Sequence, residues 1–151
     1  MLEIGQPAPD IVATDHAGKA FNLSEMRGKK VWLYFYTSPG GRNCTAHACG
    51  YRDNLAQFIA KGIEVVGLND RPASEQKEWG ERERLPFRVL SDPDRVIAKG
   101  YGIWVEGADR YVANNAEGRR PAVLIDEEGK VARILPDLMT VEDDLAALQS
   151  V

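Results

Sequence analysis

"KVWLYFYTSPGGRNCTAHACGYRD", residues 30–53, runs from an apolar stretch through a glycine turn into a segment that holds both cysteines of the chain. Lys30 to Thr37 is almost continuously apolar and aromatic, the pattern of a strand buried on both faces. After Gly40-Gly41, the residues Ala48, Tyr51, Leu55, Phe58 and Ile59 recur at helical spacing. A helix is therefore expected to start near Asn43 or Cys44 and to stop at Gly62.

Working outward, strands alternate with helices. "IVATDHAGKAFNLSEM" reads as two short strands around the turn "DHAGK". "IEVVGLND" is a second buried strand, Pro72 to Leu85 a helix and "FRVLSD" a third strand. Asp92 followed by Pro93 has the pattern of an N-cap with proline at the first helical position, opening the short helix "DRVIAKGY". "PAVLIDEEGKVARIL" reads as two strands joined by "DEEG", and Thr140 with Asp143 resembles a capping box for a last helix. The alternation predicts a three-layer α/β domain around a central mixed sheet, with the final hairpin supplying antiparallel strands. Residues 105–119 carry the weakest pattern and are expected to form a surface loop.

The bulk properties narrow the function. A chain of 151 residues suits one domain, 1–151, and 44% hydrophobic with 28% charged residues is ordinary for a globular protein. A net charge of −4 with scattered basic residues gives no case for nucleic acid or an anionic membrane. The alternating "GERERL" reads as a solvated helix face. No stretch approaches the ~20 apolar residues of a membrane helix, and "MLEIGQPAPD" lacks the features of a signal peptide. Two cysteines are too few for a disulfide scaffold, so a close pair reads as reactive thiols in a reducing, cytoplasmic setting.

Cys44 falls at the start of the expected helix, where free N–H groups and the helix dipole favour a thiolate. The plainer reading is a small, inert residue at a helix start. Cys49 lies five residues on, which on a helix is a rise of ~7.5 Å and a turn of ~500°. A disulfide needs Cα atoms within about 7 Å, so bonding the two requires the first turns to unwind. That fits a nucleophile that reacts first and a resolving thiol that arrives later; the alternative is a core cysteine among Ala48, Gly50 and Tyr51. His47 is expected to be an exposed helix histidine, with proton shuttling the alternative. A Cys44-His47-Cys49 metal site is not expected, because zinc wants four tetrahedral ligands and a helix splays these three. His16 is expected to be solvated in its turn, and Trp32, Trp79 and Trp104 to be packing residues.

Taken together, "IGQPAPDIVATDHAGKAFNLSEMRGKKVWLYFY", "CTAHACGYRD", "VVGLND", "LSDPDRVIAKGYGIW" and "RPAVLIDEEGKV", in that order, resemble the peroxiredoxins, and most nearly their bacterioferritin-comigratory, or Q-type, subfamily. The resemblance implies a thioredoxin-like fold and reduction of hydroperoxides. By position it implies that Cys44 is the peroxidatic and Cys49 the resolving cysteine, and that Arg120, before "PAVLID", is the arginine facing the thiolate; Arg119 is its neighbour. The family pattern has proline seven residues before the peroxidatic cysteine and threonine or serine three before it. This chain has Thr37 and Gly41 there, with Pro39 five before, so the pocket has lost a hydroxyl donor. Arg42 and Asn43 are expected to donate in its place, or Thr37 to reach in. The resemblance further implies a thioredoxin- or glutaredoxin-like reductant, a monomer, and no metal, flavin or haem. The altered pocket leaves two alternatives: a thiol-disulfide oxidoreductase, against which the absence of CxxC argues, and a redox-sensing module with little or no turnover.

Overall fold

The computed structural model describes residues 2–36, 42–104, 106–107, 111–112, 121–135, 138 and 140–151, apart from the side chains of residues 42–44. Its centre is the strand β3 (Lys30–Phe35), the third after β1 (Val12–Thr14) and β2 (Ala20–Asn22). Side chains alternate across a strand. Val31, Leu33 and Phe35 therefore enter one buried cluster, while Trp32, Tyr34 and Tyr36 enter another on the opposite face. This two-sided burial explains why the stretch shows no polar alternation.

Around it lie β4 (Ile63–Asn69), β5 (Arg88–Ser91), β6 (Ala122–Ile125) and β7 (Val131–Leu135), in the order β5-β4-β3-β6-β7. The pairings β3/β4 and β4/β5 are parallel, and β3/β6 and β6/β7 antiparallel, so the sheet is mixed as expected. The helices are α1 (Arg42–Asp53), α2 (Leu55–Ile59), α3 (Ala73–Arg82), α4 (Val96–Gly100) and α5 (Val141–Leu148). Residues of α1, α2, α3 and α5 pack on the Trp32/Tyr34 face. Those of α4 and the β1–β2 hairpin pack on the other, completing three layers. Among the described residues no helix is long and apolar enough to cross a membrane.

The helix expected from Asn43 or Cys44 begins at Arg42 and is broken at Asn54 before it reaches Gly62. Asn54 leaves helical backbone at φ −119°, and its side-chain amide returns to the Gly50 carbonyl at 2.9 Å. Gly62 then stops the run with φ +71°, a conformation glycine adopts without steric cost.

Three other expectations need correction. Asp92 does cap α4, but from further back: its carboxylate accepts from Ile97 N at 3.1 Å and Ala98 N at 3.0 Å, while Arg95, at φ +60°, is the capping residue. Pro93 is thus part of the preceding turn, three residues ahead of the helix. Tyr111 and Val112, inside the expected surface loop, are buried, and Tyr111 Oη donates to Asp92 Oδ2 at 2.8 Å. His16 is half-buried rather than solvated. Its Nδ1 accepts from Val89 N at 3.2 Å, so the hairpin covers an otherwise unpaired N–H on the edge strand β5. Gly50 in α1 serves close packing: a Cβ there would lie 2.5 Å from the Cβ of Val141 at the start of α5.

Gly50→Ala should therefore destabilise the fold by about 1–3 kcal/mol through overpacking, read by urea unfolding. Adding Val141→Ala should restore only part of the loss, because it removes the Cγ contacts and leaves the Cβ contact. Unchanged stability in the single variant would contradict this packing.

Candidate active site

β3 delivers the chain to α1, and the carbonyl at its end is held firmly. Tyr36 O accepts from Asn69 Nδ2 at 2.5 Å, and Asn69 Oδ1 accepts from Arg71 N at 2.9 Å. The Tyr36 hydroxyl donates to Gln76 Oε1, and Gln76 Nε2 donates to Leu90 O at 2.7 Å. A buried polar group is stable only when it is paired, and this network ties the ends of β3, β4 and β5 to α3. Asn69 and Gln76 were not singled out in the sequence; their signal is a polar residue closing an apolar strand and one on the inner face of a charged helix.

Cys44 is the third residue of α1. The first four N–H groups of a helix have no intrahelical acceptor, so the backbone there can receive an anion. The side chains of Arg42, Asn43 and Cys44 lie outside the described residues, as do Thr37, Gly41, Arg119 and Arg120. The geometry of the first turn is set from α3: Trp79 Nε1 donates to Thr45 Oγ1 at 3.1 Å, so this tryptophan positions as well as packs. Trp32 is buried, and Trp104 lies under the Arg95 guanidinium at 5.3 Å.

His47 overturns its expectation outright. It is buried, and its ring stacks on Tyr51 at 5.0 Å between centroids with 8° between planes. Its Nε2 meets Asp144 Oδ1 of α5 at 2.5 Å. The second carboxylate oxygen accepts from the Tyr51 hydroxyl, which itself accepts from Trp32 Nε1 at 3.0 Å. Burial and the neighbouring Asp144 hold the Tyr51 phenol well above its ordinary range, so it stays a donor. Asp144 was invisible in the sequence because it stands in the acidic first turn of α5, where carboxylates ordinarily face solvent. The correction has a simple cause: His47 and Tyr51 are four apart and share the inner stripe of α1 with Ala48.

Cys49 is half-buried near the other end of α1, and its thiol donates to Glu83 Oε2 at 3.5 Å. Glu83 therefore departs from the solvated face expected of "GERERL". α3 ends at Arg82, and Glu83 turns inward, its carbonyl accepting from Arg52 Nη1. Burial pushes the Cys49 thiol above its ordinary 9.0; Arg52 opposes this, and the bond to Glu83 reinforces it. In the folded helix Cys49 is thus a protonated thiol at neutral pH. In Cys44→Ser, alkylation of Cys49 by iodoacetamide should keep rising through pH 9.0. Glu83→Gln should move the curve to lower pH. Levelling below about pH 8.5 would contradict the assignment.

The chain is similar to known proteins in both sequence and fold. The model of the AhpC/TSA family matches residues 4–134. A putative peroxiredoxin Bcp of Coxiella burnetii is 33% identical over 135 residues, 89% of each chain. Peroxiredoxin Bcp of Escherichia coli K12 is 31% identical over 140 residues, 92% of this chain and 88% of that one. In fold, the crystal structure of peroxidoxin BcpB from Mycobacterium tuberculosis superposes with a TM-score of 0.84 at 24% identity, covering 100% of this chain and 99% of that one. With a family model spanning most of its length and relatives above 30% identity, the chain belongs to the AhpC/TSA family and is a thiol peroxidase of the Bcp-type peroxiredoxins.

Proposed function

We propose that this single-domain chain, 1–151, reduces hydrogen peroxide or organic hydroperoxides through Cys44 and Cys49. The observation that carries the reading is the placement of Cys44 in the first turn of α1, the next element in the chain after the buried strand β3. The Cys44 thiolate attacks one oxygen of the peroxide; the O–O bond breaks, the leaving hydroxide or alkoxide takes a proton, and Cys44 becomes a sulfenic acid. Cys49 then gives its proton and attacks the Cys44 sulfur, a disulfide forms, and water leaves. A dithiol protein of the thioredoxin or glutaredoxin kind returns both thiols by disulfide exchange.

Arg120 is assigned to face the Cys44 sulfur, where a permanently charged guanidinium can donate to thiolate and peroxide oxygen together. Support comes from Pro121, whose carbonyl accepts from Phe35 N at 3.0 Å, so the chain enters β6 beside the end of β3. Thr37, Gly41, Arg42 and Asn43 are assigned to the peroxide pocket, with Arg42 and Asn43 supplying donors that Gly41 lacks. We place the protein in the cytoplasm as a monomer, where its paired thiols are kept reduced.

Stopped-flow mixing with hydrogen peroxide tests the sequence of steps. The wild type should oxidise rapidly and stoichiometrically, then turn over with thioredoxin. Cys44→Ser should abolish peroxide consumption, and residual turnover near wild type would sink the assignment. Rapid oxidation with no turnover by any dithiol reductant would favour the redox-sensing alternative. Arg120→Ala should slow the oxidation phase by about tenfold to a hundredfold with the fold intact. The same effect from Arg119→Ala, and none from Arg120→Ala, would show the arginine register to be wrong.

A further inference from the structure

His47, Tyr51 and Asp144 form a buried polar cluster with no part in the chemistry above. The side chains of His47 and Asp144 are wholly inaccessible to solvent. Among the described residues, both hydrogen-bond partners of the Asp144 carboxylate belong to α1: His47 Nε2 at Oδ1, 2.5 Å, and the Tyr51 hydroxyl at Oδ2. A carboxylate kept from water is tolerated only while its oxygens are engaged. The absence of a side chain at Gly50 lets α5 approach α1 closely beside this cluster.

The location gives the cluster a consequence. His47 is three residues past Cys44 and two before Cys49, inside the stretch that must unwind for the two sulfurs to meet. Unwinding draws His47 away from Asp144 and leaves one buried carboxylate oxygen without its partner. Opening of α1 is therefore opposed by a specific interaction, in addition to ordinary helix hydrogen bonds.

We propose that His47 and Asp144 are positioning residues: their contact latches α1 to α5, holds Cys44 in the form that meets peroxide, and sets the rate at which Cys49 reaches it. The inference rests on the Cys44–Cys49 reaction sequence given above. A looser latch shortens the life of the sulfenic acid. It thereby lowers the fraction of Cys44 that a second peroxide carries to sulfinic acid.

The test is two-phase stopped-flow on the full chain, comparing wild type, Asp144→Asn, His47→Gln and Val131→Ala. The last truncates a residue buried on the opposite face of the sheet and serves as a matched destabilised control. In Asp144→Asn the peroxide-independent second phase should rise about tenfold, sulfinic acid at high peroxide should fall, and the first phase should not quicken. His47→Gln keeps a donor toward Asp144 and should lie between Asp144→Asn and wild type. Val131→Ala should lower stability and leave the second phase alone. A second phase within twofold of wild type in Asp144→Asn, or an equal acceleration in Val131→Ala, overturns the latch. Should Asp144→Asn fail to fold, amide exchange over residues 42–53 of the dithiol form decides. Faster exchange in His47→Gln than in wild type supports the latch, and equal exchange overturns it. A wild type that forms no Cys44–Cys49 disulfide overturns the reaction sequence and the latch with it. A wild-type disulfide with no change of second phase in the variants overturns the latch alone.

Discussion

Two thiols five residues apart on one helix cannot meet while that helix is intact. The rise of ~7.5 Å and the turn of ~500° between them are properties of the backbone that no choice of side chain alters. Cys44 and Cys49 both lie within the continuous helix Arg42–Asp53. In the proposed reaction one segment must therefore be ordered to present a nucleophile and must open afterwards for the second thiol to reach it. What packs against α1 has to satisfy both demands.

The surrounding structure divides the work. β3, buried on both faces and paired on both edges, gives α1 a rigid neighbour, and the Tyr36–Asn69–Gln76 network fixes the strand end that leads to it. The helix itself is held from its sides by fewer, more specific contacts. Thr45 is held by Trp79, Cys49 by Glu83, His47 by Asp144 and Gly50 by Val141. Three of these are polar or directional, and such contacts can be exchanged without dismantling the apolar core. The state of Cys49 follows the same division. Held beside Glu83 it is a protonated thiol, which in the proposed reaction leaves Cys44 to act as the thiolate.

Much of this fold was legible in the sequence because its signals are local. The apolar run of β3, the β1–β2 turn, the β6–β7 hairpin and the Thr140/Asp143 capping box each need only neighbouring residues to be read, and Thr140 N does donate to Asp143 Oδ2 at 3.1 Å. What was misread depends on distant partners. His47 looked exposed because its partner Asp144 is 97 residues away. His16 looked solvated because it pairs with Val89, 73 residues on. Tyr111 is buried through Asp92. The thiol pair could not be assigned from local signals: spacing alone left Cys44 and Cys49 open to inert readings, and family membership carries the peroxidase assignment.

The central claim is that α1 exists in two forms, folded with the thiols free and locally unwound with them joined. Amide hydrogen exchange over residues 42–53, compared between the dithiol and disulfide forms, tests it most directly. The account predicts faster exchange in this segment in the disulfide form, with β3 and β4 equally protected in both. Equal exchange of the segment in the two forms, with the Cys44–Cys49 bond confirmed by peptide mapping, would contradict it.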